Sequence, residues 1–419
     1  MRAKCFIFGM ITLVLSLGSV YSWADPPSQF PHDATFTTRV TLTKGIEGLT
    51  GDGVNNLYTG GSGSAPCPIW QINLHTWAVT VVGNVQAAET PSGSCQFSGI
   101  AFDAVGNLYQ ADGTAGRIYR LNPKSGTTPP NATIFASGVP GTNGLAFDRD
   151  GNLWTGDGTT GFGRVWRITG AGANCTATTP INCEEVFRIQ PMRNGTALGA
   201  DISTVPTANQ PTQGVGRSAN TFPHTAAGGN PQDLVANGIA FNHQGDMFVI
   251  DSARGALWKI EFNRRENLKS PVGCDSTFTP NTLCLSNVFV AHPILEGGDG
   301  IALDVAGNIW VDANERNAVA VVTKDGRVTE IFRNPVNANG LRSSADTAVG
   351  NKYILEFPTS PFITGKLFCT ANSDGNRRDN FPRTDGEIDG GGATVGKDLG
   401  KISCLDQDLE IRGLKLPVQ

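Results

Sequence analysis

The sequence predicts an all-β chain folded as a six-bladed β-propeller of four-stranded antiparallel blades. Three observations carry that expectation: a short pattern recurs six times, each recurrence has a period of two, and turn-forming residues are abundant. Each copy opens with an acidic, amide or hydroxyl residue before a Gly, then runs through an apolar stretch and a turn to an aromatic. Five copies place the aromatic ten positions after the Gly: Glu47-Gly48 with Tyr58, Ser98-Gly99 with Tyr109, Asn143-Gly144 with Trp154, Asn237-Gly238 with Phe248, and Asp299-Gly300 with Trp310. Asn339-Gly340 reads as a sixth, looser copy, its turn glycine (Gly350) and aromatic (Tyr353) each three residues late. A unit of this size cannot bury its own apolar face and must stack on its neighbours.

The elements follow in order. In the second copy Ile100-Ala101-Phe102 leads into a turn and Leu108-Tyr109-Gln110 returns. Gly106, Gly151, Gly245 and Gly307 fall seven residues after their motif glycines, with Asn55 there in the first copy, and these residue types accept the positive φ of a tight hairpin. Third strands are expected at residues 69–72, 117–121, 164–168, 257–260 and 319–322. Fourth strands are expected at 79–82, 133–135, 186–188, 288–290 and 328–332. The alternating stretch 36–42 precedes the first motif and is placed as the outer strand of the last blade, closing the ring. Trp77, Trp154, Trp166, Trp258 and Trp310 fit blade-packing positions.

Two segments do not fit a blade. The 94 residues between Gly144 and Gly238 include a Gly/Pro/Thr/Asn-rich stretch at about 169–233, read as an insertion over one mouth. Residues 372–400 are polar and Gly/Asp-rich and read as a long exposed loop. At the other end, Arg2 and Lys4 precede an apolar run over residues 5–20, and Ser22-Trp23-Ala24 follows in small-x-small form. Residues 1–24 therefore read as a secretory signal peptide and 25–419 as a single propeller domain, secreted or periplasmic and a monomer.

Removing Met1 to Ala24 leaves 30 basic residues against 37 acidic ones, so nucleic acid and anionic membrane are poor partners. Eight cysteines then remain, an even number that argues for disulfides in an exported chain. Proximity in sequence suggests Cys67 with Cys95, Cys175 with Cys183, Cys274 with Cys284, and Cys369 with Cys404. None of these pairs has zinc or redox spacing.

In a propeller the residue before each motif Gly lies at the central channel. Glu47, Asn143, Asn237, Asp299 and Asn339 would converge there, two carboxylates and three amides without thiolate or imidazole. An all-oxygen set suits a hard cation, Ca²⁺ first, with Mg²⁺, Mn²⁺ or Zn²⁺ as alternatives. The same residue types before a turn Gly also fit simple capping of strand ends. No G-x-S-x-G elbow, EF-hand loop, Walker loop or H-E-x-x-H occurs, and the five histidines are scattered. His224 and His292 are the two that could reach the mouth.

Glu47-Gly48, Asn143-Gly144, Asn237-Gly238 with Phe248-Val249-Ile250-Asp251-Ser252, and Asp299-Gly300 with Gly307-Asn308-Ile309-Trp310-Val311 resemble the senescence marker protein, gluconolactonase and luciferin-regenerating-enzyme family. The resemblance covers roughly residues 36–370. It implies a six-bladed propeller with one divalent cation on its axis and hydrolysis of a lactone or related ester. It further implies Glu47, Asn237 and Asp299 as protein ligands of the cation and Asp299 as general base. Asn143 and Asn339 are placed as additional ligands or substrate contacts, and Asp251 as support behind the site or a strand-end cap. Sugar-lactone members carry Arg two residues before the Asn of the third blade, where this chain has Gly141, which leaves the substrate open. Two other functions fit the same ring: a non-catalytic, metal-stabilised propeller that binds a ligand or protein, and an enzyme resembling strictosidine synthase or streptogramin lyase.

Overall fold

The computed structural model describes residues 30–31, 34–123, 128–190, 235–263, 267–274, 276, 278–295, 297–334, 354–373 and 400–417. The predicted signal peptide, the core of the predicted insertion, most of the polar loop, Asn339 and His224 lie outside them.

Six antiparallel sheets stand around a central channel, a six-bladed propeller. Their innermost strands are Thr50–Gly51, Phe97–Phe102, Thr142–Phe147, Ala236–Phe241, Gly298–Leu303 and Pro358–Thr364. Strands follow outward in chain order in the first five blades. The sixth blade combines Pro358–Thr364, Leu367–Asn372 and Lys401–Leu405 with Phe36–Thr41 from the other end of the chain. The N-terminal strand therefore closes the ring, as its alternating pattern predicts. Between the blades lie apolar layers; Trp154, Trp258 and Trp310 are among the largest fully buried side chains.

Two expectations need correction. The sixth inner strand begins at Pro358, so the position expected for Asn339 belongs to Thr359. Here Ser360 replaces the motif Gly, and the following hairpin is short enough to bring Phe368 eight residues after Ser360, which breaks the ten-residue spacing. The segment from residue 169 is also not all insertion. Ala173–Asn174 pairs in parallel with the outer edge of the second blade, and the fourth strand of the third, expected at 186–188, spans Cys183–Ile189. All four expected cystine pairs form, and Cys175–Cys183 and Cys274–Cys284 pin the two loops that latch one blade to the edge of the preceding one.

In the first five blades the inner hairpin is fastened by one side chain four residues after the motif Gly. Asp148 Oδ1 accepts the amides of Asp150 and Asn152, while Oδ2 accepts Asn152 Nδ2 at 2.9 Å and Trp154 Nε1 at 2.8 Å. Asp103 and Asp304 repeat the arrangement with Tyr109 and Trp310. In the fourth blade the pair is exchanged, Asn242 taking the turn position and Asp246 the partner position. Buried Tyr and Trp polar atoms are thereby satisfied at no cost to the apolar layer.

The motif glycines serve another purpose. They are absent from the positive-φ set, so backbone conformation does not demand them. Space does: a Cβ on Gly99 would stand 2.2 Å from Asn143 O, on Gly144 2.6 Å from Asn237 O, on Gly238 2.5 Å from Asp299 O, and on Gly300 2.4 Å from Thr359 O. Each inner strand thus rests its glycine directly on the main chain of the next. The circuit closes where Thr359 Oγ1 donates to Glu47 O at 2.7 Å. Because the obstructing atoms are backbone, Gly238→Ala is expected to lower unfolding stability by about 1–3 kcal/mol, the cost of overpacking a close-packed site. Denaturant unfolding measures this, and an unchanged midpoint would contradict so close an approach.

Candidate metal centre at the mouth of the channel

In the second to fifth blades the residue before the motif Gly sits in an irregularity of its strand, as does Thr359 in the sixth. Phe97 faces Asp112 while Ile100 faces Gln110, so Ser98-Gly99 carries one extra residue against its partner. The same register shift recurs at Asn143-Gly144, Asn237-Gly238, Asp299-Gly300 and Thr359. A bulge re-aims side chains out of the alternating pattern, and here it recurs at the start of each of these inner strands, on one mouth of the channel. Ser98, Asn143, Asn237 and Asp299 are only 4%, 8%, 6% and 4% exposed, and Glu47 is half-buried. The structure thus brings Glu47, Asn143, Asn237 and Asp299 to equivalent places in one ring, with Ser98 and Thr359 completing it.

A second ring, not part of the repeat as read from the sequence, backs the first. It consists of the residue one or, in the first blade, two positions beyond the end of each second strand: Ser62, Gly113, Gly158, Ser252, Asn314 and Ser373. The signal in the sequence is a constant separation of fifteen from the ring residue, fourteen in the sixth blade. Asn314 Nδ2 donates to Asp299 Oδ2 at 2.8 Å. Asn237 Nδ2 donates to Ser252 Oγ at 3.3 Å, and Ser252 passes its own hydrogen to Gly298 O. Gly158 is required beside Asn143, since a Cβ there would lie 2.4 Å from Asn143 Nδ2.

The ring fits a hard cation on one specific ground. Asn237 Oδ1 is buried with no hydrogen-bond partner, because the amide spends its nitrogen on Ser252. A buried acceptor left unmade is costly, and an oxygen-seeking cation beside it removes that cost. The flanking groups Asn143 and Asp299, and Glu47 across the ring, are also oxygen donors, with two carboxylates among them. Among the described residues no group of three or more His, Cys, Asp and Glu is placed to hold a metal, so any site here depends on amide oxygens.

The surroundings divide sharply in polarity. One residue past the motif glycines, Leu49, Ile100, Leu145, Ile239 and Ile301 line an apolar cavity of about 90 Å³ along the axis. The C-terminal Leu416 and Pro417 line this same cavity. At the polar mouth a hollow of about 380 Å³ adjoins Glu47, lined by Lys44, Ser62, Ser64, Gln96 and Ser373 among others. Gly141, two residues before Asn143, has φ +69° and no room, since a Cβ would stand 2.1 Å from Asp157 Oδ1.

Two further candidates resolve into structural roles. Asp251 Oδ1 accepts the amide of Ala253 at 3.1 Å, and its Oδ2 forms a fully buried ion pair with Arg254 at 2.8 Å, whose guanidinium also reaches Gln190 O. His292 accepts the Ile294 amide on Nδ1 at 3.2 Å, which leaves the proton of the neutral ring on Nε2. Burial, and then the charge of Arg316, push its pKa down, so this ring is a neutral hydrogen-bond donor near pH 7.

With the geometry in view, the class is a six-bladed propeller whose mouth carries a ring of oxygen donors. Residues 229–340, which include Asn237 and Asp299, match the family model of the SMP-30/gluconolactonase/LRE-like region, as the resemblance of the repeat implies. Among solved structures, regucalcin from Agrobacterium tumefaciens, described as a calcium-binding protein, is 15% identical over 93% of this chain and 98% of its own, with a TM-score of 0.50. A gluconolactonase from Xanthomonas campestris is 12% identical over 90% of this chain and 91% of its own, TM-score 0.47. Virginiamycin B lyase from Staphylococcus aureus is 12% identical over 88% of this chain and 99% of its own, TM-score 0.44. At such identities the likeness concerns the fold alone. No curated protein matches the sequence.

Behind the ring, between the fifth and sixth blades, Asp312 is wholly buried with Thr370 Oγ1 against its Oδ2 and no partner on Oδ1. Burial pushes its pKa well above the usual 3.8, opposed only by the Thr370 contact. Protonated, the acid donates to Thr370 Oγ1 while Thr370 donates to Ala371 O at 3.0 Å, which satisfies both hydroxyl hydrogens. A carboxyl raised in the folded state holds a proton that the unfolded chain releases, so stability falls as pH rises above about 4. Asp312→Asn mimics the neutral acid and is expected to melt a few degrees higher than the parent at pH 7. That advantage should vanish towards pH 4, and scanning calorimetry at both values checks it; equal melting at pH 7 would mean the group is not held neutral.

Proposed function

We propose that this chain is a divalent-cation-dependent hydrolase that opens a lactone or related ester at the polar mouth of the channel. The reading rests on one observation above the others: Asn237 Oδ1 is buried without a donor in a ring that also presents Glu47, Asn143 and Asp299. The family match over residues 229–340 supports the same chemistry. Glu47, Asn237 and Asp299 would hold the ion, with Asn143 as a further oxygen, and Ca²⁺ suits this set best. Such an ion supplies Lewis acidity towards an ester carbonyl.

The protein's own groups account for the rest. Asp299, fixed through Oδ2 by Asn314, is the carboxylate placed to take the proton of an attacking water. The apolar cavity immediately below the ring limits water from that side and strengthens the electrostatics of the mouth. The hollow beside Glu47, with its hydroxyls and Lys44, offers room for the remainder of a small substrate. The closed position at Gly141 favours a substrate that does not need a guanidinium there. The four cystines and the predicted signal peptide support a secreted or periplasmic location.

The test is a panel of aldonolactones, γ-butyrolactones and aryl esters assayed with and without chelator, alongside the Ca²⁺-dependent shift in melting temperature. Chelator-sensitive turnover that falls about 100-fold or more in Asp299→Asn is expected. Saturable Ca²⁺ binding with no turnover on any substrate would instead make the chain a metal-stabilised binding propeller. Turnover indifferent to chelator would remove the cation from the mechanism.

A further inference from the structure

We propose that Asn314 belongs to the cation site, as the residue that both orients Asp299 and adds its own side-chain oxygen to the donor set. The inference rests on the reading of the ring as a cation site and deepens it. Asn314 follows the second strand of the fifth blade and is 7% exposed. Its Nδ2 donates to Asp299 Oδ2 at 2.8 Å, and the opposite rotation of the amide is excluded because it would set oxygen against carboxylate oxygen. Its Oδ1 is thereby left as the free acceptor of the amide, and it is buried with no hydrogen-bond partner.

The neighbouring blade repeats the arrangement at the same fifteen-residue separation. Asn237 turns its nitrogen to Ser252, Ser252 donates to Gly298 O, and Asn237 Oδ1 is likewise buried and unpartnered. Gly298 directly precedes Asp299, so the two amides flank that carboxylate along one continuous run of contacts. Both amides turn their nitrogens to protein acceptors and leave their oxygens without a donor. A cation coordinated by Asp299 satisfies the two together; a single water donating to both is the competing arrangement.

Direct Ca²⁺ titration of the full chain by calorimetry, with melting temperatures in Ca²⁺ and in chelator, separates these outcomes. Asn314→Leu keeps the volume and removes both polar atoms; its Ca²⁺ affinity is expected to fall about tenfold or more. Asn314→Asp keeps an oxygen but sets a second charge against Asp299 in the metal-free protein. Its affinity is expected to equal or exceed that of the parent, with a larger Ca²⁺-dependent rise in melting temperature. Asn314→Leu binding within about twofold of the parent would overturn the proposal and leave an amide that merely caps its strand beside water. Should Asn314→Leu not fold, Asn314→Asp decides, because loss of binding there is incompatible with a ligand oxygen. A parent protein that binds no Ca²⁺ sinks the cation reading itself, whereas a parent that binds and an unaffected Asn314→Leu sinks only the role of Asn314.

Discussion

Everything at the mouth depends on how closely the six inner strands approach one another. Backbone rests on backbone at Gly48, Gly99, Gly144, Gly238 and Gly300, where no side chain fits. That contact sets the diameter of the channel and the height of each blade relative to the next. It therefore sets the distance between residues that are separated by up to several hundred positions in the chain. A side chain at any of these glycines would push two blades apart and loosen the ring for every member. At the final junction a hydroxyl, Thr359 Oγ1, makes the contact by hydrogen bond instead.

The bulge beside Gly99, Gly144, Gly238 and Gly300 turns that packing constraint into chemistry. In a regular strand, alternate side chains would be divided between neighbouring blades. The extra residue frees one polar side chain per blade to point elsewhere, and the second ring then holds it. Asn314 on Asp299 and Ser252 on Asn237 are direct cases, and Gly158 beside Asn143 does the same by making room. Immediately below, the channel becomes apolar, so a charged group at the mouth has few competing dipoles beneath it. Buried polar groups are costly unless matched, and Asn237 Oδ1 and Asn314 Oδ1 have no hydrogen-bond partner within the protein.

How legible this was varies by element. The inner and second strands of the first five blades were readable because glycine, turn and aromatic recur at fixed spacing, each enforced by a local requirement: close approach, positive φ, or the Asp-anchored hairpin. The N-terminal closing strand was readable from its alternation and from the blade that lacked an outer strand. The sixth inner strand was not, because Ser360 stands in place of glycine and its short hairpin shifts the aromatic. Asn339-Gly340 met the pattern in letters, while Thr359-Ser360 hold the equivalent place in the ring. His292 shows a similar limit: the backbone amide on Nδ1 that makes it a donor could not be anticipated.

Local spacing and residue type thus established the all-β architecture, the cystine pairs and the identity of Glu47, Asn143, Asn237 and Asp299 as candidates, because strands, hairpins and short cross-links are written in near neighbours. Which residue completes the ring, which side chains hold the candidates, and which oxygens lack donors were decided by the assembled propeller. Those properties arise from contacts between blades, where Thr359 meets Glu47 and Thr370 meets Asp312, and no periodicity along a single strand encodes the partner waiting on the next sheet.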